Sequence, residues 1–313
     1  MNASQENQSA TAVLMIRPAN FGANPETAGS NTFQKSTAQG AEVQAKARAE
    51  FDGLVEVLSK AGVLVEVFED RTEPVTPDAV FPNNWVSFHG DGSAWLYPMQ
   101  AASRRWERRS DILDSLRVER GYRLGDVRDL SYAELDGRYL EGTGSLVLDR
   151  RNRVAYAGLS PRTDARLVQE WTKSTGYTAL AFHARDTKGR AIYHTNVMLC
   201  VGTDFALGCF DCIVEPKERE RVTKQLADTG HELVAISPYQ MEAFAGNMLE
   251  LKGRYGETLL ALSARAERAL QPKQRAVLER YARLVASPID TIEDCSGGSV
   301  RCMLAEIHLP RNQ

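Results

Sequence analysis

The sequence predicts an α/β fold: a closed propeller of five blades, built from pseudo-symmetric repeats of the ββαβ type. Three observations predict this fold. A hairpin followed by a helical segment recurs along the chain, the recurrences are evenly spaced, and the two ends of the chain carry complementary parts of one further unit. Repeats of this length cannot bury a sheet alone, so they pack side by side around an axis. We expect one domain over residues 1–313, with residues 1–11 as a flexible tail.

The first complete unit shows the repeating pattern. WVSFHGDGSAWLYP contains two apolar runs around a GDG turn, which is typical of a β-hairpin. The charged segment that follows, SRRWERRSDILDSLRVERG, has the periodicity of a helix. The same order returns in GSLVLDRRNRVAYAGL with TDARLVQEWTKSTG, in NVMLCVGTDFALGCFDCIV with PKERERVTKQLADTG, and in NMLELKGRYGETLLALS with PKQRAVLERYARLVA.

The spacing of the units is nearly constant. The units can be anchored at equivalent points: Asn83, Glu141, His194, Asn247 and Gly298. Successive anchors are 58, 53, 53 and 51 residues apart. The last unit, GGSVRCMLAEIHL, has one strand only, whereas the N-terminal segment offers the strand TAVLMIRP and the helix QAKARAEFDGLVEVLSKAG. We expect these two ends to combine into the fifth unit and close the propeller.

The composition limits the classes of function. The 313 residues are 43% hydrophobic, and 38 basic and 41 acidic residues give a formal net charge of −3. This balance provides neither a basic surface for nucleic acid nor a polybasic patch for a membrane. MNASQENQSA lacks the features of a signal peptide, and an odd number of cysteines, five, argues against a disulfide framework. We expect a cytoplasmic protein with a small-molecule partner, and leave homo-oligomer formation open.

Polar residues occupy equivalent points of the repeats, and a closed propeller would bring them together at its axis. They are Asp78, Asn83, Asn84, Glu141, His194, Asn196, Asn247 and Cys302. A thiol, an imidazole and carboxylates in one place can perform nucleophilic catalysis. Cys302 is the candidate nucleophile. Gly297 and Gly298 before it expose backbone NH groups, and the adjacent Arg301 supplies a cation that favours the thiolate.

Five segments, in order along the chain, resemble those of the guanidine-modifying enzymes: PDAVF, LEGTG, SPRTD, YHTN and GGSVRCM. This superfamily, whose fold is the pentein propeller, includes arginine deiminase, dimethylarginine dimethylaminohydrolase, agmatine deiminase and glycine amidinotransferase. The resemblance extends from about residue 78 to residue 302. The opening MIRPANFGANPET is similar to that of a bacterial branch described as citrulline-utilisation or arginine-deiminase-related hydrolases.

The resemblance implies three catalytic residues. Cys302 matches the nucleophile, whose thiolate attacks the central carbon of a guanidinium or ureido group. His194 matches the general acid and base, which protonates the departing amine and then activates water. Glu141 matches the carboxylate that holds the substrate nitrogens and the histidine. Because covalent thiol chemistry activates the substrate, we expect no metal and no organic cofactor.

The resemblance also implies a binding site for an α-amino acid. Asp78 matches a second carboxylate that contacts the substrate. Arg104 and Arg162 match arginines that hold the α-carboxylate in the dimethylarginine enzymes, a task that suits the guanidinium fork. The segment from Asn20 to Glu26 is rich in turn-forming residues and is a candidate lid over the site.

Three departures from the family pattern indicate the substrate. The dimethylarginine enzymes have acidic residues where this chain has Asn83 and Asn84, and arginine deiminases have an aspartate where it has Asn196. A guanidinium cation needs carboxylates to replace its hydration, whereas an amide pairs well with a neutral urea. The departures favour citrulline, which would be cleaved through an S-carbamoyl enzyme to ornithine, ammonia and carbon dioxide.

Other functions stay open. An arginine dihydrolase, an arginine deiminase or a dimethylarginine-type hydrolase would use the same residues. An amidinotransferase would pass the amidino group to an amine, and a catalytically silent propeller would only bind an amino acid. We favour hydrolysis because no segment marks an acceptor-amine site and because Cys302, His194 and Glu141 occur together.

Overall fold

The computed structural model describes residues 6–31 and 33–312, which form fifteen strands and ten α-helices. The strands are β1 (Ala12–Arg17), β2 (Leu64–Glu69), β3 (Val86–Phe88), β4 (Ala94–Leu96), β5 (Val127–Asp129), β6 (Leu146–Asp149), β7 (Val154–Gly158), β8 (Thr178–Phe182), β9 (Leu199–Val201), β10 (Phe205–Gly208), β11 (Glu232–Ala235), β12 (Leu249–Lys252), β13 (Thr258–Ser263), β14 (Arg283–Ser287) and β15 (Ala305–Glu306). The helices are α1 (Pro25–Ala28), α2 (Ala41–Lys60), α3 (Ser110–Val118), α4 (Gly142–Ser145), α5 (Ala165–Thr175), α6 (Pro216–Asp228), α7 (Pro238–Glu242), α8 (Ala264–Ala269), α9 (Pro272–Tyr281) and α10 (Asp290–Ser296).

The strands form five separate sheets with one shared topology. The strand orders are β15-β1-β2, β3-β4-β5, β6-β7-β8, β9-β10-β11 and β12-β13-β14. In each sheet the first pair is antiparallel and the second pair is parallel. A parallel pair needs a long crossover, and helices between the second and third strands supply it. The five predicted α/β units are thus present, while their closure around one axis stays a prediction.

Helix α5 illustrates why these segments fold as helices. The Asp164 side chain caps its first turn by accepting from two backbone NH groups. Leu167, Val168 and Trp171 lie on one face of the helix and are buried. They belong to the hydrophobic core that also contains residues of β6 and β7. The helical period in the sequence therefore matches the face that covers the sheet.

The two ends of the chain meet in one sheet. β1 pairs with β15 in antiparallel fashion, with Val13 opposite Glu306 and Leu14 opposite Ala305. β1 also pairs in parallel with β2, so it is the central strand of this sheet. The expectation that the ends combine into a fifth unit is confirmed. The pairing fixes the position of the Cys302 segment, which comes directly before β15.

The expected flexible tail, residues 1–11, is partly wrong. Residues 1–5 lie outside the described residues, but the segment after them packs against the protein. Gln8 is buried, and its Nε2 donates to the carbonyl oxygens of Leu148 and Val201 at 2.9 Å each. Its amide satisfies backbone acceptors in two different sheets, which explains why a polar segment is held in place.

Short helical turns precede the first strand in four of the five sheets. They are Pro82–Asn84 before β3, Gly142–Ser145 before β6, Thr195–Val197 before β9 and Val300–Met303 before β15. The anchor residues of the repeats lie in or beside these turns, and Asn247 precedes β12 at the corresponding point. These turns position the site described below. Among the described residues, no helix combines the length and the apolar character needed to cross a bilayer.

The buried His89 predicts an acid-sensitive fold. Its Nε2 pairs with Ser87 Oγ at 2.9 Å, and burial lowers the pKa of His89 from 6.5 to about 3. Burial likewise lowers the pKa of His194 to about 4. Between these values and 6.5 the unfolded chain binds more protons than the folded chain, so stability falls as the pH is lowered. Each histidine lowers the free energy of unfolding by about 3 kcal/mol at pH 4.5 relative to neutral pH.

Urea unfolding at pH 7 and pH 4.5 checks this expectation. The free energy of unfolding should fall less steeply in His89→Gln, which removes one titrating group and keeps a hydrogen-bonding side chain. His183→Gln is the control because His183 is exposed. Equal slopes for the wild type and both variants would contradict the assignment to His89.

Candidate active site

A small cavity near the first strands contains six of the eight predicted site residues. These six are Asp78, Asn84, Arg104, Arg162, His194 and Cys302. Thr27, Asn31, Phe81, Tyr193, Ser296 and Gly298 complete its wall. The cavity volume is about 10 Å³, which is room for about one water molecule. The cavity is therefore too small to hold an amino acid in this structure.

Glu141 and His194 form the central pair of the site. His194 Nε2 lies 2.8 Å from Glu141 Oε2, and both side chains are almost fully buried. The other carboxylate oxygen, Glu141 Oε1, accepts from the backbone NH of Gln100 at 2.9 Å. Among the described residues, His194 Nδ1 has no hydrogen-bond partner. The pairing thus leaves Nδ1 as the nitrogen that can exchange protons with a substrate.

Charges around this pair set its protonation. Burial alone would raise the pKa of Glu141, but Arg162 and His194 outweigh it and hold this pKa far below its usual range. Arg162 Nη1 lies 3.5 Å and Arg104 Nη1 lies 3.9 Å from Glu141 Oε2. Burial, opposed by Glu141, lowers the pKa of His194 to about 4. At neutral pH the pair therefore consists of a carboxylate and a neutral imidazole, which can act as a base.

Arg162 is the arginine with replaceable partners. Its Nη2 donates to Ser30 Oγ at 2.7 Å and to the carbonyl oxygen of Thr27 at 3.3 Å. Its guanidinium also lies over the Tyr193 ring, 5.0 Å from the ring centre. Ser30 and Thr27 present neutral oxygens, and a carboxylate would be a stronger acceptor at the same position. Arg162 thus fits the predicted role in binding an α-carboxylate.

The segment expected to form a lid contacts the site. Asn24 Nδ2 donates to Asp78 Oδ2 at 2.8 Å. The expected lid is thus in direct contact with Asp78, the residue predicted to bind the substrate. Asn31, farther along the chain, donates from Nδ2 to the carbonyl oxygen of Ser296 at 2.6 Å. Residues 24–31 therefore cover the cavity. This covering segment extends beyond the predicted lid, which ran from Asn20 to Glu26.

Arg104 is more fully engaged than predicted. Its Nε and Nη2 donate to the two oxygens of Glu107 at 2.9 Å each, and its Nη1 donates to Asn84 Oδ1 at 2.8 Å. Asn84 Nδ2 in turn donates to Asn83 Oδ1 at 3.0 Å. The guanidinium of Arg104 thus donates its hydrogen bonds to protein side chains. It is better placed to orient Asn84 than to bind a substrate carboxylate.

The sulfur of Cys302 lies among amides. Its Sγ is 3.2 Å from Nδ2 of Asn247 and 3.5 Å from Nδ2 of Asn196. Arg301, which was expected to favour the thiolate, donates instead to Glu306 Oε2 at 2.9 Å and to the carbonyl oxygen of Leu304 at 3.0 Å. That expectation is wrong because neighbours in a helical turn point in different directions, and Glu306 offers the arginine a buried carboxylate.

The structure brings together all eight predicted residues, with Glu141 and Asn196 behind the cavity wall. Sequence reasoning missed the contacts of Asn247, Glu107 and Asn24. Asn247 did carry a signal, since it is the anchor of its repeat. Glu107 lies three residues after Arg104, a spacing at which helical side chains meet. Asn24 lies in the expected lid, but its contact with Asp78 could not be predicted because it depends on how a distant loop folds back.

Comparisons with known proteins agree with this architecture. A family model described as N,N dimethylarginine dimethylhydrolase, eukaryotic, matches residues 17–309. Comparison with curated protein sequences gives no match.

Several solved structures share the fold. ArgZ, described as an arginine dihydrolase from the ornithine–ammonia cycle in cyanobacteria, is 14% identical, with a TM-score of 0.75 over 96% of this chain and 41% of that one. AgrE in complex with L-arginine is 16% identical, with a TM-score of 0.74 over 96% and 41% of the two chains. A dimethylarginine dimethylaminohydrolase adduct with S-methyl-L-thiocitrulline is 15% identical, with a TM-score of 0.65 over 95% and 100%. This chain thus spans less than half of these ArgZ and AgrE chains.

The close packing of α4 yields a prediction for Gly144. A Cβ at this position would lie 2.5 Å from Asn84 Nδ2 and 2.8 Å from His194 Nδ1. Gly144→Ala should therefore displace these side chains and lower any activity by about tenfold to a hundredfold, which is the cost of a small misplacement of reacting groups. The measurement is kcat/KM together with the melting temperature.

Gly53→Ala is the matched control. Gly53 lies inside α2, and a Cβ there meets no described atom within 4 Å. This change should slightly raise stability, because alanine favours a helix, and leave activity unchanged. Wild-type kcat/KM in Gly144→Ala would show that the site tolerates the extra methyl group.

Proposed function

Since the chain belongs to the N,N dimethylarginine dimethylhydrolase family of the guanidine-modifying, or pentein, superfamily, we propose that it is a cysteine-dependent hydrolase of a free amino acid. The resemblance inferred from five sequence segments is thereby confirmed. The chain is homologous to hydrolases that act on guanidino carbon–nitrogen bonds. The proposed substrate group is a ureido or guanidino group. One observation carries the proposal: Cys302 and the His194–Glu141 pair meet at one buried cavity.

The first proposed step forms a bond to sulfur. His194 takes the thiol proton of Cys302, and the resulting thiolate attacks the ureido carbon of citrulline. The carbon–nitrogen bond on the ornithine side then breaks. The departing amine takes the proton from His194, and ornithine leaves a carbamoyl group on Cys302. Because Glu141 holds Nε2 of His194, Nδ1 carries the proton in this step.

The second proposed step releases the enzyme. His194, now neutral, takes a proton from water as the oxygen attacks the carbamoyl carbon. The carbon–sulfur bond breaks, and the thiolate of Cys302 is restored and regains its proton from His194. The carbamate product decomposes to ammonia and carbon dioxide. One water is consumed for each citrulline, and the balance requires no oxidant, reductant or cofactor.

The proposed substrate is held at two ends. Arg162 binds the α-carboxylate in place of Ser30 and the Thr27 carbonyl, since a carboxylate forms stronger, charge-assisted hydrogen bonds. Asp78 binds substrate nitrogens in place of the Asn24 amide. The substrate thus replaces contacts that residues 24–31 make in this structure.

Amide side chains around the reacting atoms support citrulline. Asn196 lies against the Cys302 sulfur, and Asn84 faces the cavity. Family members that act on cations are expected to have carboxylates at such positions, which stabilise a guanidinium. A neutral ureido group presents both a carbonyl and NH groups, and an asparagine can pair with either.

An arginine dihydrolase is the second candidate. Asp78 lines the cavity, and Glu141 lies behind its wall beside His194, so the two carboxylates could together balance a guanidinium. The fold is similar to those of ArgZ, described as an arginine dihydrolase, and AgrE, described in complex with L-arginine. An arginine deiminase or a dimethylarginine hydrolase would use the same residues and differ in the product released.

We also propose that residues 1–313 form one catalytic domain with its five units closed into a propeller. Contacts between first strands of different sheets support this arrangement: β15 contacts β3, β6 contacts β9, and β9 contacts β12. Ala10 forms a bridge to Leu251 of β12, which links the N-terminal segment to a further sheet. Cytoplasmic location stays a prediction, and homo-oligomer formation stays open.

Product analysis tests the proposed reaction. Purified protein is incubated separately with L-citrulline, L-arginine and Nω,Nω-dimethyl-L-arginine, and ornithine, citrulline, ammonia and dimethylamine are quantified. Ornithine should form from citrulline and be absent with Cys302→Ala. If ornithine forms from arginine and not from citrulline, the result would support the arginine dihydrolase. Citrulline accumulating from either arginine compound would refute the citrulline hydrolase.

Arg162→Lys tests the carboxylate site. Lysine keeps the charge but loses the two-pronged geometry, so KM should rise about tenfold to a hundredfold with a smaller change in kcat. Steady-state kinetics with the active substrate measure both. Arg166→Lys, an exposed arginine on α5, is the control and should change neither. A fall in kcat at constant KM would instead assign Arg162 to the support of Glu141.

A further inference from the structure

We infer that Asn247 stabilises the Cys302 thiolate by donating a hydrogen bond from its side-chain amide to the sulfur. The inference rests on the proposed role of Cys302 as nucleophile. It assigns a role to Asn247, which the sequence identified as the anchor of its repeat without assigning it a function. Asn247 is fully buried, and its Nδ2 lies 3.2 Å from Cys302 Sγ. This contact is shorter than that of the other amide beside the sulfur, Asn196 Nδ2, which lies 3.5 Å away.

A second contact determines which way the amide points. Asn247 Nδ2 also donates to the backbone carbonyl oxygen of Asn196 at 2.9 Å. A carbonyl oxygen can only accept, so the side-chain atom that faces it must be the NH2 group and not the oxygen. That same NH2 group has its second hydrogen available for the sulfur of Cys302. The orientation therefore follows from the neighbours.

The sulfur needs such a donor because no cation takes this position. Among the described residues, the hydrogen bonds to Cys302 Sγ come from the amides of Asn196 and Asn247. Arg301, the adjacent cation, is paired with Glu306. Cys302 is only 3% exposed, so water contributes little to the solvation of an anion there. A buried anion without donors is costly, whereas a hydrogen bond to a charged acceptor is stronger than one to a neutral acceptor.

The local backbone is built to bring Asn247 to this place. A Cβ at Gly246 would lie 2.3 Å from the carbonyl oxygen of Val197, so only glycine permits this close approach of two turns. Phe244, which starts the turn, has a positive φ of 63°, an unfavourable conformation for an aromatic residue. The Asn247 NH donates to the Phe244 carbonyl oxygen at 2.8 Å and closes the turn. Strain of this kind persists where the surrounding structure enforces it, and it concentrates at active sites.

Within the described part of the chain, the oxygen of the same amide makes no contact that competes with this orientation. Asn247 Oδ1 is buried and has no hydrogen-bond partner among the described residues. Leaving a buried acceptor unpaired costs about 1–3 kcal/mol. The donor end of the Asn247 amide alone is used, and one of its two acceptors is the Cys302 sulfur.

The test is a pH titration of the ultraviolet absorbance of the thiolate in the full-length protein. Subtraction of the Cys302→Ala spectrum isolates the signal of this sulfur from the other cysteines. Asn247→Ala should move the midpoint of thiolate formation upward by about one pH unit, a tenfold loss of thiolate at fixed pH. Asn247→Asp, which is nearly isosteric, should move it further in the same direction because it adds a like charge.

Asn83→Ala is the matched control. Asn83 is also a fully buried anchor of its repeat, but its described contacts are with Asn84 and Thr143 and not with the sulfur. Its midpoint should stay at the wild-type value. Equal shifts in Asn83→Ala and Asn247→Ala would overturn the inference, as would an unchanged midpoint in both Asn247 variants. Circular dichroism and thermal melting establish that each variant is folded. If Asn247→Ala does not fold, the titration of Asn247→Asp provides the test.

The titration needs no substrate, so it separates this inference from the proposed function. A shifted midpoint in a protein that hydrolyses none of the three amino acids would support the role of Asn247 and refute the hydrolase. Turnover of citrulline with an unchanged midpoint in the Asn247 variants would do the reverse.

Discussion

The fully buried carboxylate of Glu141 is the constraint on which the site and its surroundings depend. An anion without access to water must be paired, and removal of one partner of a buried pair typically costs about 3–5 kcal/mol. Arg104, Arg162 and His194 surround Glu141 and come from separate segments of the chain. A shift of any of these segments would leave charge uncompensated. The interactions that orient His194, the proposed base, therefore also hold neighbouring units in register.

The polar residues of the site divide into two groups with different physics. Around Glu141 the interactions are ionic, and they hold the imidazole in one orientation. Around Cys302 the donors are neutral amides, which solvate a negative sulfur without pairing with it permanently. Such donors leave the sulfur free to form a bond to carbon, whereas a directly bound cation would compete with the substrate. Different residues thus support the proposed base, His194, and the proposed nucleophile, Cys302.

The repeating units could be predicted because they depend on local patterns. The GDG turn and the helical period of the next segment both act over a few residues, and the spacing of the anchors added the long-range order. Side-chain partners that depend on tertiary geometry could not be predicted in this way. Arg301 donates to Glu306, Gln8 donates to two backbone carbonyl oxygens, and Asn24 donates to Asp78. In each case the sequence shows a polar group but not the acceptor that folding brings to it.

The pairing of β1 with β15 has a consequence for the order in which the protein becomes chemically competent. Domains begin to fold during synthesis from the N-terminal end. β1 is made early, yet its partner β15 emerges about 290 residues later, so one edge of β1 stays open while most of the chain is translated. The thiol segment acquires its place only when this edge is finally covered. In a nascent chain the segments of Glu141 and His194 are therefore complete before the Cys302 segment can be seated beside them.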